Sequence, residues 1–374
     1  MLPPVSEVRA RTWITSEAPC CRRVLVMRSV VGIKRISAAL LMAVAAINFT
    51  AYQQARAFTH FAPTGHRTPP PQTLSLGQKM QVLVKGVEVP RPESRRTPRD
   101  LGLEFERHVF PGSRGVPLEA WLVPQVGARG TVLLFHGHAA SKDSQLREAS
   151  VFHRMGFNAF LVDFYGSGGS GGNETSIGFY ESVDVARSFD YARKLPAAGP
   201  VVLYGASMGA AAVIKGVADQ QLKPEALILE CPFDSLIGTV RHRFTTMGIP
   251  SFPLADLLVF WGGMQAGFNG FQYRPVESAA RVDRPTLLMS GANDEYVRPE
   301  EARSIFEALT GPKTLRFFAG VGHDSCLRRR PDEWKAAVSA FLDQLLPAGE
   351  TGHRPQASRR VFAPSTPPPT RDQR

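Results

Sequence analysis

The sequence predicts an α/β protein with a doubly wound, mostly parallel sheet and an antiparallel hairpin at its start. Three observations carry this. Six short apolar runs recur between Thr131 and Gly320, each continuous enough for a strand buried on both faces. Amphipathic stretches of helical period separate most of them. Ahead of them lie "LEFERHVF" (103–110) and "PLEAWLVP" (117–124), joined by "PGSRG", which is hairpin chemistry.

In chain order the buried strands are expected at 131–137, 157–164, 200–206, 225–232, 285–291 and 314–320. Helices are expected over 144–156, 179–195, 208–219, 300–310 and 331–346. Ligands of such sheets bind at the carboxyl ends of the strands. One interval breaks the rhythm: about 50 residues, 235–284, carry no clear strand and are rich in Phe, Trp, Met and Gly. A segment that long within a domain is usually functional, and a helical cap over the site is expected. Its aromatics Phe244, Phe252, Trp261, Phe268 and Phe271 either face an apolar substrate or hold the cap to the body.

The domain organisation expected is a basic N-terminal segment over 1–57, a Pro/Arg-rich linker over 58–100, the sheet domain over 101–346 and a disordered tail over 347–374. An apolar fraction of 43% is ample for a core. The net charge of +11 would suggest nucleic acid, but the first 35 residues carry +5 and residues 347–374 carry +3. The domain itself is only mildly basic and shows no run of Lys/Arg interleaved with aromatics, so no nucleic-acid partner is expected.

Directly after Lys34 and Arg35 comes "ISAALLMAVAAINF", Ile36–Phe49. Its length suits the core of a signal peptide, with Ala55–Ala57 as an A-x-A cleavage pattern, and extension to Tyr52 makes it a signal anchor. Either way the preceding basic residues hold the N-terminus inside and send the rest across the membrane. A buried core helix is the bland alternative, and Met27 is an alternative start that would leave the first 26 residues without a role. Of four cysteines, Cys20 and Cys21 precede the run. Cys231 and Cys326 follow no metal spacing, so burial as small apolar residues is expected, with one disulfide conceivable in an exported chain.

The stretch "DFYGSGGSGG" matches G-x-G-x-x-G at Gly166, Gly168 and Gly171. A dinucleotide site needs a helix starting at those glycines and an acid at the tip of the next strand. Here the helical pattern starts several residues late, and Asp190, at the right distance, falls inside it. No cofactor is expected.

The chemistry gathers elsewhere. "LYGASMGAA" puts Ser207 in G-x-S-x-G between a buried strand and a helix, with Gly205 and Gly209 where the chain turns sharply. A serine needs a base, and an acid to orient that base. "GANDEYV" supplies Asp294 after a later strand and "GVGHDS" supplies His323 after the last one. Asp234 is a rival acid, because it also follows a strand on that edge, whereas Asp324 is expected to point away. The oxyanion of an acyl-transfer intermediate needs two donors. These are expected from the Met208 amide and, in "HGHAAS" after the first parallel strand, from the His138 amide, with His136 and Gly137 shaping the loop. His136 and His138 lack a third ligand at metal spacing.

"HGHAAS", "DFYGSGGS", "GASMGA", "GANDEYV" and "GVGHDS", in that order, resemble the α/β-hydrolase superfamily, within it the esterase, monoglyceride-lipase and serine-aminopeptidase-like branch, over roughly 103–346. The resemblance implies that "DFYGSGGS" is the family's D-x-x-G-x-G-x-S loop, flooring the oxyanion site. It implies a serine hydrolase for a small-molecule ester, with Ser207, His323 and Asp294 as the triad and no cofactor. Peptidase and thioesterase activities share that machinery, and a membrane-tethered binding protein without turnover is an alternative of another class. Nothing in the sequence fixes the oligomeric state or assigns the cap a specificity.

Overall fold

A computed structural model describes residues 19–62, 65, 68–69, 73–196 and 198–347; side chains of 19–33, Lys79 and Leu83 are not described. Apart from Pro347, the expected tail lies outside this set, as do residues 1–18.

The eight strands are β1 (Glu106–Pro111), β2 (Pro117–Val123), β3 (Thr131–Phe135), β4 (Asn158–Val162), β5 (Val201–Ala206), β6 (Ala226–Glu230), β7 (Thr286–Gly291) and β8 (Lys313–Phe318). They form one sheet in the order β1-β2-β4-β3-β5-β6-β7-β8. β1 pairs antiparallel with β2, and β2 antiparallel with β4. From β4 to β8 all pairings are parallel. The α/β class expected from the rhythm of the sequence is therefore the fold observed. Leu103 and Phe105, expected in the first strand, precede it, and Phe105 packs its ring on Trp121 at 5.3 Å.

The helices are α1 (Pro19–Thr59), α2 (Leu76–Lys85), α3 (Leu146–Arg154), α4 (Glu181–Ala192), α5 (Met208–Gln220), α6 (Leu236–Thr246), α7 (Leu254–Ala266), α8 (Pro275–Ala279), α9 (Pro299–Ala308), α10 (Cys326–Arg329) and α11 (Pro331–Leu345). Strand side chains alternate between two faces. Leu133, Phe135, Leu203 and Leu227 join α4, α5 and α9 in one core. Val132, Leu134, Val202 and Ile228 join α3 and α11 in the other. This is why β3 to β7 read as unbroken apolar runs, both faces being covered, whereas β8, expected to be buried as well, is an edge strand and mostly half-exposed.

The interval 235–284 holds α6, α7 and α8. Its base is a third apolar cluster in which Leu236, Val259 and Tyr273 meet Ala211, Phe233 and Val297. Phe268 stacks on Phe179 at 4.2 Å, so that aromatic fastens the interval to the body. Phe252, by contrast, is 75% exposed and does not fasten the interval to the body.

The N-terminal apolar run lies in a 41-residue helix. Lys34–Thr59 is long and apolar enough to cross a membrane, with mean hydropathy 1.5 and 6% of its most apolar window buried, so it is no core helix. Its last turns nevertheless touch the body, and Ala51 and Ala55 are buried there. The segment expected as a linker carries α2, which has a capping box at Ser75 and Gln78, and is pinned further on by Arg91 to the carbonyls of Gly168 and Ser170.

Candidate active site

Ser207 sits between β5 and α5 with φ 51° and ψ −114°. Such a backbone is strained for a residue with a Cβ and is tolerated where surroundings over-determine it. Those surroundings are tight. A Cβ on Gly209 would stand 2.3 Å from the Phe135 carbonyl oxygen, and one on Gly205 would stand 2.6 Å from that of Gly209. Glycine at both positions lets α5 close onto β3 and β5, so the serine side chain projects from the carboxyl edge of the sheet.

His323 and Asp294 reach that edge from the loops after β8 and β7. The Ser207 Oγ lies 3.1 Å from His323 Nε2, and His323 Nδ1 lies 2.7 Å from Asp294 Oδ2. The arrangement assigns the Nδ1 proton to the aspartate side and leaves Nε2 to accept from the serine. The Asp294 side chain is fully buried, and its Oδ1 accepts from the amides of Tyr296 and Val297, both at 2.9 Å. Tyr296 stands edge-on to the His323 ring at 5.9 Å.

Asp234 accepts from the Ser235 hydroxyl at 2.7 Å and lies against Glu301 rather than His323. Asp324 is paired with Arg328 and Arg329. Met208 opens α5, so its amide has no acceptor within the helix. Gly137 lies beside the nucleophile: a Cβ there would be 3.7 Å from Ser207 Cβ. The His138 ring is turned to the end of α1, its Nε2 3.1 Å from the Phe58 carbonyl. His136 is buried, accepts from the Phe164 amide at Nε2 and donates from Nδ1 to the Gly137 carbonyl. Burial lowers its pKa, favouring the neutral ring these bonds require.

The glycine-rich loop is built around Asp163. Its carboxylate accepts from the amides of Lys142 and Gly169 and from the Lys142 ammonium, which also reaches Glu119 at 2.8 Å. At Gly168, φ is +50°, and any Cβ would collide with the Asp163 carboxylate. The next helix starts only at Glu181, which fits the reading of the loop as a turn rather than a dinucleotide cradle. Asp163 and Lys142 thus clamp the segment after β3 to the loop after β4.

Glu230 was not singled out by the sequence reading. Wholly buried under the site, it accepts from the Cys326 amide at 2.7 Å, the Tyr204 hydroxyl at 2.9 Å and the Trp334 indole at 3.1 Å. Burial raises its pKa. It ties the helix after His323 to the end of β6, and an acid inside the apolar run "ALILECP" was the available signal. Cys231 and Cys326 are both free and buried. Cys231, Asp294 and His323 offer ligand atoms within 4.8 Å of one another, so a metal ion there would compete with the Asp294–His323 hydrogen bond.

The sheet order, the elbow at Ser207 and the loops after β7 and β8 define a class: the chain has the α/β-hydrolase fold and is similar to members of that superfamily. Residues 127–245 match a family model described as serine aminopeptidase, S33. The protein bem46 of Schizosaccharomyces pombe is 28% identical over 67% of this chain and 80% of its own length. Lysophosphatidylserine lipase ABHD12 of Macaca fascicularis is 21% identical over 54% of this chain and 50% of its own. Among solved structures, the Pyrococcus furiosus esterase Pf2001 superposes with a TM-score of 0.58 at 22% identity, covering 69% of this chain and 97% of the esterase, which is a likeness of fold.

Proposed function

We propose that the protein is a serine hydrolase that cleaves a carboxylic ester with an apolar acyl part through an acyl-enzyme on Ser207. The observation that carries the reading is the hydrogen-bonded line from Ser207 through His323 to Asp294. His323 Nε2 takes the serine proton as Oγ attacks the ester carbonyl. The bond to the alcohol breaks, and His323 returns that proton to the leaving oxygen. Water, deprotonated by the same nitrogen, then attacks the acyl carbon, releasing the acid and restoring the serine. Asp294 holds the ring and stabilises its charged form, while the Met208 and His138 amides face the oxyanion.

A peptide or thioester substrate would use the same groups, and the serine-aminopeptidase description of the matching model favours a peptidase. The apolar character of α7 favours the ester. We place the enzyme in a membrane through α1, with Lys34 and Arg35 inside and the catalytic body outside.

The test is a fluorophosphonate probe with a panel of p-nitrophenyl esters and aminoacyl p-nitroanilides, beside Ser207→Ala. Labelling and ester turnover that fall by at least about 10⁴-fold in the variant support the reading. Folded protein that neither labels nor turns over overturns it in favour of a tethered binding protein. Anilide turnover above ester turnover makes it a peptidase.

A further inference from the structure

The run Ile36–Phe49 has 14 residues, about 21 Å of helix, whereas a bilayer core needs about 30 Å, or roughly 20 residues. A spanning α1 must therefore reach as far as about Ala55. Those added residues do not stand free: α7 lies on them. The Trp261 indole donates to Asn48 Oδ1 at 3.3 Å and its ring meets Tyr52 edge-on at 5.5 Å. Gln265 donates to the Tyr52 carbonyl at 2.9 Å, and Ala55 is 2% exposed beside Gly262. Whatever depth of membrane α1 occupies beyond Phe49, α7 shares.

The surfaces around that junction suit lipid. Helix α7 turns Ala255, Val259 and Gly263 to the body yet leaves Phe260 44% and Met264 63% exposed, and Phe252 stands out just before it. A helix apolar on both faces needs something to cover the outer one. On another side of α1, α2 packs through the Gln54 amide, which donates to the Val82 carbonyl at 2.6 Å. Helix α2 exposes Leu76, Met80 and Val84, an i, i+4, i+8 stripe. Two apolar faces flank one membrane-length helix where it meets the body, and the bilayer that covers the helix is continuous with both. Trp261, with its ring among apolar groups and its N–H bonded, is the residue type that gathers at the lipid–water boundary.

We infer that α7 with Phe252, and α2, form a membrane-docking surface beside a retained α1, so that the Ser207 site draws an amphiphilic ester from the bilayer. The link to the site is short. Val259 of α7 shares an apolar cluster with Val297, whose amide holds Asp294, and the end of α1 meets the His138 ring through the Phe58 carbonyl. Cleavage after Ala57 would remove the strip on which α7 rests, so α1 stays attached. The docking stands on these contacts; only its substrate clause rests on the proposed hydrolase.

The test uses the full chain in phosphatidylcholine vesicles, with Cys20 and Cys21 replaced by Ser and a nitroxide at Phe252→Cys, Met264→Cys or Val126→Cys. Val126 is wholly exposed ahead of β3, at the opposite edge of the sheet. Docking predicts that labels at 252 and 264 are relaxed by oxygen and shielded from a water-soluble nickel chelate, with the reverse at 126. Equal access of the chelate to all three overturns it, and shielding from both agents at 252 and 264 overturns it in favour of a second protein chain. In a second arm, Phe252→Asp with Met264→Asp is expected to lower turnover of a long-chain monoacyl ester in vesicles at least tenfold, with p-nitrophenyl acetate turnover unchanged. Equal loss on both esters overturns the substrate clause alone. Absence of any turnover in the unaltered chain counts against the hydrolase and leaves the nitroxide result standing.

Discussion

Asp294 presents one carboxylate oxygen to His323 at 2.7 Å while its other oxygen is fixed by two backbone amides. The acid is thus locked before the histidine is considered. Asp294→Asn keeps the shape but offers the ring the wrong partner. We expect kcat to fall about 10⁴-fold with little change in melting temperature. Asp234→Asn, at a carboxylate turned to Ser235, is expected to change kcat less than about threefold. Comparable losses in the two variants would remove Asp294 from its assigned role.

The buried ammonium of Lys142 answers two carboxylates, Glu119 and Asp163, and lies over the Trp121 ring at 4.3 Å. Removing it leaves buried charge without a partner. Lys142→Met should destabilise the fold by about 3–5 kcal/mol, read from the urea midpoint. An unchanged midpoint would mean that Arg107, which also pairs with Glu119, suffices.

Glu148 is buried beneath the His323 loop, where it accepts from the Ser325 hydroxyl. Burial, and then the neighbouring Glu230 charge, raises its pKa from 4.5 to about 7. The folded state therefore holds this proton more tightly than the unfolded chain. Its contribution to stability is complete below about pH 4.5 and is lost as pH rises through about 7. Over that window the loss is on the order of 3 kcal/mol. Glu148→Gln should flatten the fall in melting temperature between pH 5 and 8. Asp184, raised to about 6 chiefly by burial, leaves part of the slope in place. A slope identical to that of the unaltered chain would show that Glu148 titrates normally.

At Gly209 the approach of α5 to β3 leaves no room for a methyl group. Gly209→Ala should cost about 1–3 kcal/mol and displace Ser207 enough to abolish fluorophosphonate labelling. Gly77→Ala, in open space on α2, is the matched control and should label normally.

Much of this was readable in the chain itself. Five of the six apolar runs became strands buried on both faces, which demands apolar residues at nearly every position. The last became β8 at the sheet edge, where Lys313, Thr314 and Arg316 are tolerated because the strand is mostly half-exposed. Ser207, Asp294 and His323 could be named because each follows such a run, and a parallel sheet collects those positions at one edge. Glu230 and the partners of Lys142 were harder to find. A buried acid has no periodicity, and its justification lies in donors such as Trp334 that are far away in sequence.

By itself the sequence determined the order of strands and helices, the glycines of the elbow and an apolar segment of membrane length, since all of these follow from local pattern and spacing. Only the tertiary structure decided that His323 meets Asp294 and not Asp234, because that choice depends on β7 and β8 lying side by side, which brings the loop after β7 within 3 Å of the ring. It also decided that α1 ends against α7 and the His138 loop. Packing between segments more than two hundred residues apart is set by shape and donor geometry, which no local pattern records.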